Sequence, residues 1–338
     1  MNKIIYLDAA ASSLKPAEVI RTQDDFLTHH YANAGRGVCA RSMAVDNTVN
    51  LTRERVARFI NSTPDNIVFT SGTTDGMNRI SRILERSNVF TKESIVVVSD
   101  LDHHSARLPW EEMASLDKCK IKTSKLDDNF NIDLSGIDHI DIFVITAMSN
   151  VLGRRQDVKK LIKDAKSINP NVISIIDAAQ YVAHLPIDVA DWGCDFLCFS
   201  GHKIGADTGI GIMYVKEPLR WQVDNMGGGM IATVTEKQNK NAENATSTWV
   251  LADGPERFEA GTLPLTQIAG LGPAIDYLEN HRPDPKLIRY LHGELSKIKD
   301  ITLFTKPDDA LLTFFVEDMH CFDFGSLIGA HGVCLRVG

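Results

Sequence analysis

Residues 195–215 read DFLCFSGHKIGADTGIGIMYV, and this stretch decides the fold because two apolar segments flank a glycine-rich polar turn. Short apolar segments bounded by turn residues are typical of buried strands. Lys203 lies in the turn that follows the first segment. Two explanations are open for Lys203. Its aliphatic stem packs along the end of a strand and its charge reaches solvent, or its amine has a lowered pKa and is functional.

Along the chain before residue 280, short apolar segments alternate with amphipathic segments. The apolar segments are NIVFT (66–70), SIVVVSD (94–100), DIFVITAM (141–148), NVISIID (171–177), FLCFS (196–200) and GIGIMYV (209–215). Such alternation predicts an α/β domain with a largely parallel sheet.

A proline-marked polar segment, ENHRPDPK at 279–286, separates this pattern from a shorter tail. We therefore expect a large domain over residues 1–280 and a small, apparently truncated α+β domain over residues 281–338. About the first 20 residues are expected to pack with the small domain.

Composition and charge exclude several classes of function. The 338 residues carry 36 Lys and Arg against 44 Asp and Glu, a net charge of −8, with no basic run that would follow a phosphate backbone. We expect no nucleic-acid partner. Because Asp8 precedes any signal-peptide core and no apolar run could span a bilayer, a soluble cytoplasmic protein is expected, without a membrane partner.

The six cysteines are spread through the chain and fit neither a disulfide framework nor a metal site. Reduced thiols are the expectation. Cys194 and Cys198 are an even number of residues apart, which predicts that both are buried on one side of a strand.

In an open α/β sheet a ligand binds at the carboxyl ends of the strands, so the residues after each apolar segment matter most. SGTTDGM (71–77) follows the first segment and predicts a turn that enters a helix. The N–H groups of such a helix start, with the hydroxyls of Thr73 and Thr74, could hold an anion. A capped turn that binds nothing is the alternative.

Other strand ends carry His103, Asp177 and Lys203. Each alone has a plain structural explanation, such as a loop histidine or a surface lysine. Together with an anion site they form the set that pyridoxal 5′-phosphate (PLP) requires. The helix start binds its phosphate, the histidine stacks on its ring, the aspartate keeps the ring nitrogen protonated and the lysine bonds its aldehyde.

At this point the sequence resembles the class V aminotransferase-like, fold-type I PLP enzymes and, within them, the cysteine desulfurases of the SufS type. The resemblance covers almost the whole chain in order. Its motifs are YLDAAASSLKP, HYANAGRGV, IVFTSGTTDGMN, DHHSARLPW, SNVLG, IDAAQ, FSGHKIGADTGIGIMYV, MGGGMI, RFEAGTLP and LRVG.

The resemblance implies roles for individual residues. Lys203 is expected to bond the cofactor and act as the base, with Asp177 at the ring nitrogen and His103 on the ring. Gln180 is expected near the ring oxygen, Asn150 near the substrate, and Arg336 at the substrate carboxylate. The expected phosphate ligands are Thr73, Thr74, Ser200 and His202, with Gly261 and Thr262 reaching the phosphate of the other subunit of a homodimer.

The implied reaction converts L-cysteine to L-alanine and passes sulfur to a thiol, and through an acceptor protein to iron–sulfur cluster or other sulfur biosynthesis. In the family the reacting cysteine follows the arginine strand, and this sequence ends at Gly338. Cys321 and Cys334 are expected to be structural. Gly35 stands where the desulfurases often have a histidine.

These departures leave three hypotheses. The first is a cysteine desulfurase whose thiol comes from a truncated segment or another source. The second is a different class V enzyme, such as a selenocysteine lyase, an epimerase or a β-eliminating lyase. The third is a non-catalytic paralogue, which the intact polar cluster argues against.

Overall fold

The central feature of the molecule is an eight-stranded sheet. In the computed structural model, which describes residues 4–35, 37–235 and 248–338, its strand order is β2-β9-β8-β7-β6-β3-β4-β5. These strands are β2 Ile67–Thr70, β3 Ile95–Ser99, β4 Lys120–Leu126, β5 Ile132–Asp133, β6 Ile142–Thr146, β7 Ile173–Asp177, β8 Phe196–Ser200 and β9 Gly211–Val215. All six apolar segments of the sequence form strands of this sheet, as predicted.

The sheet is mostly parallel. Strands β4, β3, β6, β7 and β8 run parallel to one another, whereas β9 is antiparallel to both β2 and β8, and β5 is antiparallel to β4. The carboxyl ends of β3, β6, β7 and β8 therefore share one edge. The predicted α/β class with a largely parallel sheet is confirmed.

Helices cover the two faces of the sheet. They are α1 Ala17–Asp25, α2 Ala40–Phe59, α3 Thr73–Arg86, α4 His104–Ser115, α5 Val158–Ile168, α6 Tyr181–His184, α7 Val189–Trp192, α8 Leu265–Asn280, α9 Pro285–Leu295 and α10 Cys321–Ala330. Among the described helices, none combines the length and the apolar character that crossing a bilayer requires.

Two apolar layers form the core, one on each side of the sheet. Alternate residues of a strand enter opposite layers: Leu197 packs in one layer and Cys198 in the other. Cys194 and Cys198 are both buried, as expected, but the prediction that they face the same side is wrong. Cys194 lies before β8 begins, so strand alternation does not apply to it, and it packs in the layer of Leu197.

The C-terminal segment pairs with a segment near the start of the chain. Strand β1, Ile5–Tyr6, pairs in parallel with β14, Val333–Cys334. Two further pairs lie outside the main sheet: β10 Ile231–Thr235 with β11 Thr248–Leu251, and β12 Ile301–Leu303 with β13 Phe314–Val316. Helix α8 ends at Asn280 and α9 begins at Pro285, either side of the proposed boundary, and the division into two domains stays a prediction.

Candidate active site

A cavity of about 780 Å³ lies at the carboxyl ends of the parallel strands. It brings together residues from the turns after five strands and from both ends of the chain. Of the predicted site residues, the lining includes Thr73, Thr74, His103, Asn150, Asp177, Gln180, Ser200, His202, Lys203 and Arg336. The edge of the sheet predicted from the sequence is thus where these side chains meet.

The start of α3 and the end of β8 form a compact polar cluster. The backbone N–H of Thr73 donates to Oγ of Ser200 at 2.8 Å, and Oγ1 of Thr73 lies 2.8 Å from the same oxygen. Gly72 and Gly211 permit this approach, because a Cβ on Gly211 would lie 2.5 Å from Cα of Gly72. N–H groups at the start of a 14-residue helix, beside hydroxyls, could hold a phosphate.

Asp177 ends β7 and is only 4% exposed. Its Oδ1 accepts a hydrogen bond from the N–H of Ala179 at 2.9 Å. Burial raises the pKa of this carboxyl, and the nearby charges of Lys203 and His103 offset only part of the rise. The carboxylate therefore suits a ligand that carries a positive charge or an N–H group, such as a protonated ring nitrogen.

Lys203 is half-buried in the short turn that follows β8. Burial lowers the pKa of its amine, and the negative charge of Asp177 opposes this effect. A desolvated amine with a lowered pKa is the form that attacks a carbonyl carbon. The adjoining His202 has a buried Nδ1 without a partner in the described part of the chain, which leaves it free for a ligand.

His103 occupies the N-cap position of α4. Its Nδ1 accepts a hydrogen bond from the N–H of Ser105 at 3.1 Å and lies 2.7 Å from Oγ of the same residue. Burial lowers the pKa of the ring. The neutral ring therefore carries its proton on Nε2, and its orientation is set by the helix start.

The first residues of the chain were not predicted to belong to the site. Nε2 of Gln180 donates to the carbonyl oxygen of Ala10 at 2.7 Å, and Oγ of Ser13 donates to that of Lys203 at 2.7 Å. The motif YLDAAASSLKP, which contains this segment, is one of those that carry the family resemblance. Nothing in its residues predicted these contacts.

Asp102, the residue before His103, was also missed as an ionisable group beside the site. It is 9% exposed, and its Oδ2 accepts a hydrogen bond from the N–H of Ser99 at 2.7 Å. Oδ1 is buried without a partner among the described residues. Burial, with a contribution from Asp177, raises the pKa of this carboxyl to about 8, so it is largely neutral at pH 7.

Arg336 lines the cavity, but in this structure it contacts a carboxylate of the chain itself. Its Nε and Nη2 donate to Oδ1 and Oδ2 of Asp8 at 3.1 and 2.6 Å. Asn150 lies in the turn after β6 and is half-buried. The two residues expected near the substrate therefore reach the same cavity from different parts of the chain.

Gly261 and Thr262 do not line this cavity. The N–H of Gly261 donates to the carbonyl oxygen of Gly228 at 2.8 Å, away from Lys203. Glu259, just before them, is buried in an ion pair with Arg53 at 2.8 Å. The backbone of this loop is thereby held in place while Gly261 itself is exposed.

The structure corrects one expectation about a cysteine and gives a reason for the glycine at position 35. Cys321 is exposed and lines the cavity, so the expectation that it packs as a small apolar residue is wrong: it begins α10 on the cavity side. Cys334 is half-buried. Gly35 has a φ of +102°, which favours glycine over histidine, and its N–H donates to Asp46.

Within the described ranges, no group of three or more His, Cys, Asp or Glu side chains is arranged to hold a metal ion. The open sheet, the lysine at the end of β8 and the helix start beside it define the fold-type I class of α/β enzymes. The chain belongs to the class-V aminotransferase family, whose family model, described as Aminotransferase class-V, matches residues 5–338.

Curated relatives and solved structures agree with this assignment. A cysteine desulfurase of Escherichia coli O127:H6 is 33% identical over an alignment of 350 positions, which covers 99% of this chain and 83% of that protein. The apo structure of a cysteine desulfurase from Thermococcus onnurineus has a TM-score of 0.89 at 29% identity and covers 98% of this chain and 84% of that one. The E. coli cysteine desulfurase CsdA has a TM-score of 0.85 at 27% identity, with 98% and 84% covered.

Proposed function

We propose that this protein is a PLP-dependent, cysteine desulfurase-like enzyme that converts L-cysteine to L-alanine and transfers the sulfur to a thiol acceptor. The observation that carries the proposal is the shared cavity of Lys203, Asp177 and the N-terminus of α3. A desolvated amine, a buried carboxylate and a helix start match the aldehyde, the ring nitrogen and the phosphate of PLP. The names of the relatives support cysteine as the substrate.

The residues of the cavity fit this cofactor. Thr73, Thr74, Ser200 and His202 would hold the phosphate, the last through its buried unpartnered Nδ1. The crowded approach of Gly211 to Gly72 brings the α3 start beside the end of β8, where the N–H of Thr73 donates to Oγ of Ser200. When bound, PLP supplies an aldehyde for the substrate amine and a ring that withdraws electrons from the substrate α-carbon.

Each side chain then has a task of its own. The carboxylate of Asp177 holds a proton on the ring nitrogen, and the Lys203 amine moves the α-proton of the substrate. With PLP bound, His103 would cover the ring in a neutral form and Gln180 would lie near the ring oxygen. Arg336 binds the α-carboxylate and Asn150 lies beside the substrate.

Sulfur transfer requires a thiolate. The thiolate sulfur bonds to the substrate sulfur, the Cβ–S bond breaks, and the electron pair left on carbon takes a proton to give alanine. Cys321 lines the cavity and is a candidate acceptor within the chain. A thiol beyond Gly338 and an external thiol are the other candidates. The sulfur then passes to an acceptor protein for iron–sulfur cluster or other sulfur biosynthesis.

The proposal includes a cytoplasmic homodimer with shared active sites. Gly261 lies outside the cavity of its own chain and is exposed. A loop held by the buried Arg53–Glu259 ion pair could present Gly261 and Thr262 to the phosphate of a second subunit.

The test is alanine release from L-cysteine by the purified, PLP-loaded protein with a thiol reductant present. Release that is lost in Lys203→Ala supports the proposal. If alanine is released, replacing each cysteine with serine identifies the acceptor thiol. PLP binding with no alanine release would leave two functions, a desulfurase whose thiol is not in this sequence or another class V reaction. A wild-type chain that does not form the yellow PLP adduct would contradict the proposal.

A further inference from the structure

The pairing of β1 with β14 places Asp8 and Arg336 side by side. Tyr6 is opposite Cys334 in the parallel register, so the residues two positions further along each segment are Asp8 and Arg336. The N–H of Leu7 extends this pairing with a 3.0 Å hydrogen bond to the carbonyl oxygen of Cys334. The ion pair is therefore fixed by the backbone register of two segments from opposite ends of the chain.

The geometry of the ion pair leaves part of the guanidinium free. Asp8 binds its Nε and Nη2 side, with distances of 3.1 and 2.6 Å. A guanidinium has five N–H donors, so the outer edge formed by Nη1 and Nη2 keeps donors for a second carboxylate. Arg336 and Asp8 both line the cavity that contains Lys203.

Asp8 is in turn held against the site. The N–H groups of Ala11 and Ser12 donate to its carbonyl oxygen at 3.1 and 3.3 Å. The same segment receives the hydrogen bond from Gln180 at Ala10. Ser13 binds the carbonyl oxygens of His202 and Lys203. Asp8 is thus linked to the lysine turn by a few residues of hydrogen-bonded chain.

We infer that Asp8 is a positioning residue for substrate recognition: it holds the side-on face of Arg336 so that the outer edge of the guanidinium faces the α-carboxylate of an amino acid bound at Lys203. The Arg336 side chain is 70% exposed and would otherwise sample many rotamers. The side chain of Asp8 is 16% exposed and so provides a fixed anchor. This inference rests on the proposed function.

The experiment measures binding, which needs no sulfur transfer. PLP-loaded protein is titrated with L-alanine and with ethylamine, which keeps the amine and the methyl group but lacks the carboxylate, and the change in cofactor absorbance gives each affinity. In Asp8→Asn we expect L-alanine to bind about threefold to tenfold more weakly, a modest loss because the ion pair is exposed. Ethylamine should bind as it does to the wild type.

Three variants make the result specific. Asp138→Asn removes a carboxylate from another exposed ion pair, 2.9 Å from Lys122 and outside the cavity, and should change neither affinity. Arg336→Lys keeps the charge but cannot make the two-point contact, and should weaken L-alanine binding as Asp8→Asn does. In an Arg336→Ala background, Asp8→Asn should have no further effect on the ratio of the two affinities.

Equal or tighter binding of L-alanine by Asp8→Asn would overturn the inference, because Asp8 would then be neutral or a competitor for the guanidinium. Equal weakening of both ligands would also overturn it, as it would indicate a general structural effect. If the wild type binds no PLP, the proposed function fails and the inference fails with it. If Arg336→Ala weakens L-alanine binding alone but Asp8→Asn does not, only the inference fails.

Discussion

Ser13 donates a hydrogen bond from its Oγ to the backbone carbonyl oxygen of Lys203, 190 residues later in the chain, at 2.7 Å. The N–H of Ser13 also donates to the carbonyl oxygen of His202. The turn that contains Lys203 is therefore held by the N-terminal segment as well as by β8.

Replacing Ser13 with alanine tests this attachment. Ser13→Ala should lower the free energy of unfolding by about 1 kcal/mol, the usual net value of one hydrogen bond. Chemical denaturation measures the change. Ser167→Ala is the matched control, since its Oγ donates to a backbone carbonyl within α5, on the exposed surface, and its loss should cost less. An equal or smaller loss for Ser13→Ala would contradict the role of this bond.

The buried ion pair of Arg53 and Glu259 should be far more sensitive than surface pairs. Both side chains are at most 5% exposed, and two N–H groups of the guanidinium bind the two carboxylate oxygens at 2.8 Å. Glu259→Gln leaves a buried charge without its partner and should lower the free energy of unfolding by about 3–5 kcal/mol. Denaturant titration of this variant against Asp138→Asn, where the loss should stay below about 1 kcal/mol, checks the difference.

The double variant Arg53→Met with Glu259→Leu removes both charges and should be more stable than Glu259→Gln alone, because no uncompensated charge remains. If the double variant were the less stable of the two, packing rather than charge would explain the effect of the single change.

Asp102 should make stability fall as pH rises. Its pKa in the folded chain is about 8, well above the ordinary value of an aspartate, so the folded state holds a proton that the unfolded state has released. The contribution of this group to the free energy of unfolding is complete below its pKa in the unfolded state, and it is lost as the pH rises towards about 8. Asp102→Asn, which stays neutral, should therefore gain stability relative to the wild type between pH 5 and pH 8.5.

Thermal unfolding of both proteins across that range measures this difference. Asp128→Asn, at an exposed position, provides a control with the same change of charge. A constant difference between Asp102→Asn and the wild type at all pH values would show that Asp102 does not bind a proton in the folded chain.

The close approach of Gly211 to Gly72 predicts a steric effect on the proposed phosphate site. A Cβ on Gly211 would lie 2.5 Å from Cα of Gly72, which is backbone and cannot rotate away. Gly211→Ala should reduce stability by about 1–3 kcal/mol and weaken PLP binding, because it displaces the turn that begins α3. Equilibrium titration with PLP and thermal unfolding report the two effects.

Gly293→Ala is the control for this change. Gly293 lies within α9 and has open space around its Cα, so alanine should stabilise the helix by about 0.5–1 kcal/mol and leave PLP binding unchanged. If Gly211→Ala binds PLP as tightly as the wild type, the turn that begins α3 does not contribute to phosphate binding.

Most of the sheet was predictable from the sequence, because burial on both faces of a parallel strand leaves a continuous apolar run. FLCFS and NVISIID are such runs, and every residue of β7 and β8 is buried. The polar residues at their carboxyl ends were predictable for the same reason, since Asp177 ends β7 and Lys203 lies in the turn after β8. Alternation failed only where it was extended beyond a strand, at Cys194.

The contacts that hold the site together depend on tertiary structure. The hydrogen bond from Ser13 to Lys203, the ion pair of Asp8 with Arg336 and that of Arg53 with Glu259 each join residues about 200 or more positions apart. Such contacts leave no periodic signal, because each partner follows only its local pattern and the pairing is chosen when the segments pack. Local sequence thus specified the strands and the polar side chains at their ends, whereas packing of distant segments decided how those side chains are held.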